Sequence, residues 1–312
     1  MSGRLTLSAA TSGRMIGRYV DVPPVTPLDR RADLSFIAAA CTIAALFVPA
    51  SMMTNSTIIA VTCALLLIGG LPHGALDLAI LRRDAEQHLA FVLCLYLGLV
   101  VVMVGIWLTA PTLALALFLI MAAVHFAEDW SGDEHPFFAI GIAVAIISTP
   151  ALFHHQVTSK LFVLLTTEPE AAVLADALLL VAPVAAACAL LAILLLWTNG
   201  FRATACNAGC ALMAMMTLPP ITGFTIYFCL LHSPVHFRVG LRRLVPAGDV
   251  GQHTTVATLG GVSIAFVAFQ FLPAIAPSTR MFAASFMTLS ILALPHMAVP
   301  FFIRRFGLVA RN

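Results

Sequence analysis

The sequence predicts an all-α, polytopic bundle of transmembrane helices, and three observations carry that prediction. Charged residues are only 10% of the 312-residue chain and apolar ones 61%, whereas a soluble domain carries roughly 25% charged residues. The apolar residues gather into stretches of about 20, the length that crosses a bilayer. The basic residues fall between those stretches on alternate sides, as they do when one side is cytoplasmic.

Ten stretches read as spans: Leu34–Ala50, Thr57–Leu81, Leu89–Ala110, Thr112–Trp130, Phe137–Phe153, Val173–Trp197, Ala203–Leu218, Pro219–Phe237, Thr254–Pro273 and Met281–Ile303. The seventh and eighth are short and meet at Pro219-Pro220, which no continuous helix carries in its interior. Eight spans plus a re-entrant hairpin is therefore the alternative to ten. With both termini inside, fourteen of the sixteen Lys and Arg face the cytoplasm, leaving Lys160 and Arg280 opposite. Merging the short pair would send six C-terminal arginines outside, so an even count is expected.

Residues 1–33 read as a polar cytoplasmic tail, 34–305 as one transmembrane domain and 306–312 as a short cytoplasmic tail. No cleavable leader is expected, because the first apolar stretch is too long for one. The longest connections, His154–Ala172 and Val239–His253, read as polar loops too small for a core of their own. The seven cysteines lie in apolar stretches without a CxxC pair, so they read as packing residues rather than a disulfide framework. The expected location is the cell inner membrane, crossed many times and surrounded by lipid, with no nucleic-acid partner.

The ten histidines divide in two. His88, His135, His154, His155 and His253 fall in connections or at span ends and read as solvated. His73, His125, His232, His236 and His296 fall inside even-numbered spans, all in the half towards the cytoplasm. His73 and His296 lie on the order of 12–14 Å from Arg82 and Arg304 at 1.5 Å per residue. His73/Asp77, His125/Asp129 and His232/His236 are each four apart, which sets them on one helix face. Pro234 lies between the last two and is expected to bend the helix and re-aim both rings.

Ionisable groups inside a bilayer are costly and mark functional sites. An imidazole-rich set suits iron, copper, zinc or nickel rather than magnesium or calcium. Asp77, Glu128 and Asp129 are expected to accept the second ring N–H of such histidines, and His296 is a further ligand, a support or a substrate-side residue. Phe126, Trp130, Tyr227, Phe228 and Phe237 flank these segments and read either as ordinary lipid and helix packing or, alternatively, as the lining of an apolar tunnel for a lipophilic substrate.

Pro72-His73-Gly74-Ala75-Leu76-Asp77, His125-Phe126, His232-Ser233-Pro234-Val235-His236 and Pro295-His296 together resemble the Brp/Blh family. Its members are integral-membrane β-carotene 15,15′-dioxygenases, and the resemblance runs from about residue 35 to 305. It implies an iron(II) enzyme that uses O2 to cleave the central double bond of β-carotene into two all-trans-retinal molecules. It implies His73, His125, His232 and His236 as catalytic iron ligands, and a functional link to a retinal-binding opsin. Other readings are a haem-binding protein, a proton- or metal-coupled transporter and a non-cleaving accessory protein of retinal synthesis. A membrane di-iron desaturase fits less well, since the chain has one HxxxH and no HxxHH box.

Overall fold

The structure, a computed structural model, describes residues 56–130, 136–244, 250–272 and 276–306. The expected first span, His135, the tail 1–33 and residues 307–312 lie outside the described residues. Among the described residues there are twelve α-helices and no strand.

The chain opens with α1 (Ser56–Ala75) and α2 (Asp77–Asp84), followed by a 3-10 turn at Glu86–His88. Next come α3 (Leu89–Thr109), α4 (Pro111–Phe126) with a 3-10 extension at Ala127–Trp130, and α5 (Pro136–Phe153). Then follow α6 (His155–Thr166), α7 (Ala172–Thr198) and α8 (Arg202–Thr217). Finally α9 (Pro220–Tyr227), a π-helical turn at Phe228–His232, α10 (Ser233–Leu244), α11 (Val250–Phe271) and α12 (Pro277–Phe306) complete the bundle. Four of these helices start on proline, whose missing N–H costs nothing in a first turn.

Among the described residues, seven helical segments are long and apolar enough to cross a membrane. They coincide with the expected second to sixth, ninth and tenth spans. The remaining pair is different. α8 has only 16 residues, and the backbone turns extended at Leu218 (φ −96°, ψ 158°) and Pro219 (φ −50°, ψ 137°) before α9 begins.

Of the two connections expected to be loops, His154–Ala172 is largely helical, and the described residues of Val239–His253 belong to the ends of α10 and α11. α6 occupies most of His154–Ala172 because Phe162 and Leu165 form one buried apolar face. Thr158 and Thr166 share that buried face, their hydroxyls donating to the His154 and Phe162 carbonyls one turn back, and these polar residues made the segment read as a loop. His154 contacts the Met216 carbonyl at 3.1 Å and His155 the Asp176 carboxylate at 2.8 Å, so neither is merely solvated. His253 lies in the first turn of α11 and accepts from Arg82 Nη1 at 2.6 Å.

Packing follows residue size. α5, α7 and α8 meet through alanines, among them Ala143, Ala145, Ala189, Ala192 and Ala208, all at 0% exposure. Small side chains let backbones approach where lipid leaves no hydrophobic drive for helix association. α12 is the central helix and packs against α1, α3, α4, α6 and α11. The six described cysteines form no disulfide with one another.

One end of the bundle is tied by charge. Arg243 of α10 donates to Asp84 at the end of α2, from Nε at 2.9 Å and Nη2 at 2.5 Å. The Arg82–His253 contact joins α2 to α11 at that same end. α3 and α11 therefore both start at the arginine-rich end.

Candidate metal centre

The site is assembled where α1, α4, α10, α12 and the π turn converge. Two glycines permit that convergence. A Cβ on Gly69 would lie 3.1 Å from the Cys229 side chain, and one on Gly70 only 2.3 Å from Phe228 Cε1. With no side chain in the way, α1 lies directly on the π turn. Ser233 Oγ then donates to the Gly69 carbonyl at 2.5 Å, and Cys229 Sγ to the Leu65 carbonyl at 3.3 Å.

The π turn has a local cause. Pro234 has no N–H to offer the carbonyl one helical turn behind it, and the Ser233 N–H reaches back five residues to the Phe228 carbonyl instead. Such wide turns concentrate at functional sites. Here it delivers His232, fully buried, beside His236 of α10.

His125 of α4 meets both. One nitrogen from each of His125, His232 and His236 lies within 4.8 Å of the other two. The rings crowd together, with centroids 4.8 Å apart for His125/His232, 5.0 Å for His125/His236 and 4.5 Å for His232/His236. His296 stands 5.1 Å from His125. Four of the five intramembrane histidines are thus one cluster. His73 lies on α1, but its side chain is outside the described residues.

Asp129 is the organising carboxylate. His232 Nδ1 contacts its two oxygens at 3.1 and 3.0 Å, and His236 Nε2 contacts Oδ1 at 2.9 Å. Tyr227 donates to Oδ2 at 2.5 Å. An ionised carboxylate only accepts, so these contacts fix the tautomers. The lone pair falls on Nε2 of His232 and on Nδ1 of His236. Glu128 Oε2 is 3.6 Å from His125 Nδ1, too long for a hydrogen bond.

Asp77 departs from the expected pattern. It begins α2 after the chain leaves α1 at Leu76, so His73 and Asp77 are not on one continuous helix. Its carboxylate instead accepts from His296 Nδ1, 2.9 Å from each oxygen, and from Tyr96 Oη at 3.3 Å. Tyr96 is the residue that the sequence reading missed. A phenol in an otherwise apolar span was the available signal, since a buried hydroxyl needs a partner.

The donor set suits a transition metal. Metal–imidazole bonds are about 2.0–2.1 Å, so donors round one ion lie roughly 3–4 Å apart. The observed nitrogens, within 4.8 Å of one another, are close to that spacing. Three imidazoles, two of them with tautomers set by one carboxylate, fit iron, copper, zinc or nickel. Rings this close leave no room for a porphyrin between any pair.

A cavity of about 330 Å³ opens from the cluster, walled by α1, α2, α3, α4, α11 and α12. Its polar edge is His125, His296, Asp77 and Tyr96, and apolar side chains line most of the rest. Of the five aromatics that flank the histidine segments, Phe126 and Phe228 line it. Trp130 and Tyr227 are buried in the core behind the histidines, and Phe237 packs among Leu76, Leu241 and their neighbours. Helical phase turned those three away from the cavity.

Residues 63–303 match the family model described as beta-carotene 15,15′-dioxygenase. The chain is also 31% identical over 199 residues to the beta-carotene 15,15′-dioxygenase of uncultured marine bacterium 66A03, covering 56% of this chain and 67% of that protein. No solved structure matches. The family match spans well over half of the chain and includes every histidine of the cluster, so this chain belongs to the beta-carotene 15,15′-dioxygenase family.

Proposed function

We propose that the protein is a membrane-embedded oxygenase that cleaves β-carotene at its central 15,15′ double bond to two molecules of all-trans-retinal. The observation that carries this reading is three imidazoles gathered within 4.8 Å against an apolar cavity, in a chain of this family. The reaction balances without a reductant. The carbon–carbon double bond and the O–O bond of one O2 break, and each aldehyde takes one oxygen atom.

The resident metal is iron(II), held by His125, His232, His236 and His73. Iron supplies the redox-active centre that ground-state O2 requires, which zinc does not offer. The chain's own residues do the rest. Asp129 orients two of the ligands, and Asp77 with Tyr96 holds His296 at the cavity edge. The apolar walls exclude water from the reacting double bond. The enzyme acts in the cell inner membrane with its metal centre towards the arginine-rich, cytoplasmic end, and its product supplies a retinal-binding opsin.

The test is retinal content, read by chromatography, in a β-carotene-producing bacterial host that expresses the chain. Retinal is expected to rise as β-carotene falls, in the presence of oxygen. The His232→Ala/His236→Ala protein is expected to make none and to retain no iron. Unchanged β-carotene beside intact membrane-inserted protein would overturn the reading.

A further inference from the structure

We infer that the cavity opens sideways into the hydrocarbon layer between α3 and α11, and that its long apolar occupant enters through this opening with Leu97 and Gly260 as its two lips. The occupant's identity rests on the carotenoid-cleaving reading; the opening itself rests on geometry.

The geometry begins with exposure. Among the described lining residues, those of α1, α2, α4 and α12 are buried or half-buried. Leu97 of α3 and Gly260 of α11 are the exceptions. Leu97 is 60% exposed and Gly260 is also exposed, yet both line the cavity. A residue that faces both the inside of a cavity and the outside of the bundle stands at its mouth.

Depth supports the pairing. α3 and α11 start at the same end, tied through the Arg82–His253 contact. Leu97 is eight residues into α3 and Gly260 ten into α11, hence about 12 and 15 Å along their axes. Both lie well inside the apolar layer. Leu259 and Val101, their neighbours on the outer surface, are 59% and 69% exposed, as side chains facing lipid are.

The two adjacent glycines of α11 do different things. Gly261 is a packing residue, where a Cβ would come within 3.1 Å of Leu71. At Gly260 a Cβ would meet nothing within 4 Å. No neighbour forces that position to be glycine, and a helix interior disfavours glycine relative to alanine. With no side chain there, the mouth is unobstructed on the α11 side. A hydrocarbon chain dissolved in the bilayer would lose its apolar surroundings on any route through water, so a mouth within the apolar layer is the one it can use directly.

The experiment uses the full chain, with its metal, in lipid nanodiscs containing a photoactivatable long-chain alkyl diazirine. After irradiation, adducts are mapped by mass spectrometry. Adducts are expected on Phe118 and Leu289, which line the cavity but are only 9% and 8% exposed. Gly260→Trp and, from the opposite lip, Leu97→Trp should each cut these adducts at least ten-fold. Leu180→Trp, on the lipid face of α7, which does not wall the cavity, should leave them unchanged.

Adducts that never reach Phe118 and Leu289 in the unaltered protein, or that persist in both lip variants, would overturn the opening. Retinal formation is measured on the same samples. Gated labelling without retinal would leave the opening standing and remove the carotenoid reading. Retinal formed equally fast by both lip variants would remove the opening and leave that reading intact.

Discussion

Replacing Asp129 with alanine is expected to lower metal affinity at least ~100-fold and to reduce retinal formation to background. One carboxylate, with a side chain only 2% exposed, contacts both His232 and His236. Loss of a single such supporting partner typically costs 10–100-fold in metal affinity or activity, and here two ligands lose their orientation in one change. The substitution also strands the Tyr227 hydroxyl and two ring N–H groups in a buried setting, each worth about 1–3 kcal/mol. Asp129→Asn should fall between, because its amide presents one oxygen where the carboxylate presents two. Metal content after dialysis against a weak chelator, beside a thermal melt, separates the two effects. An Asp129→Ala protein that kept its metal would sink the assignment of Asp129 as the orienting group.

Gly70→Val is expected to destabilise the protein by about 3 kcal/mol, the upper end of what overpacking costs. Exchanging glycine for a residue of higher helix propensity gains at most ~1 kcal/mol, so the clash decides the sign. The added Cβ would sit 2.3 Å from Phe228 Cε1. That ring is stacked on His232 at 5.3 Å and 17°, and on Phe224 at 5.3 Å and 13°. With both faces occupied it yields only by pushing on the histidine, so activity should fall with stability. Phe228→Ala in the same chain should recover a good part of the loss. A double variant no better than the sum of its parts would show that the clash is elsewhere.

How much of this was legible in the sequence varies from residue to residue. The four-residue spacings brought out His125, His232 and His236 because helical periodicity is a local property. Which histidine each carboxylate serves is a tertiary matter. The spacing sets Asp77 four residues from His73, but not that it accepts from His296 on a helix more than 200 residues later. It likewise sets Asp129 four residues from His125, but not that it serves His236 of α10 and His232 of the π turn. Tyr227 read as a substrate contact because it is aromatic and near the cluster, whereas its hydroxyl turned it towards Asp129. α6 escaped notice because a 12-residue helix with one apolar face has the composition of a loop.

The π turn at Phe228–His232 has a consequence for how this site can vary. It holds one residue more than regular α-helical winding would use over the same rise, so it acts as a phase setter for everything after it. The π turn already holds the one extra residue that it can take, so inserting another ahead of His236 would rotate the rest of α10 by about 100°, the turn per residue of an α-helix. His236 would leave Asp129 and Arg243 would leave Asp84 in the same motion. Substitutions within the stretch perturb one contact each, while an added residue breaks the register of the whole segment. The segment from Phe228 to Leu244 can therefore drift in composition far more readily than it can lengthen.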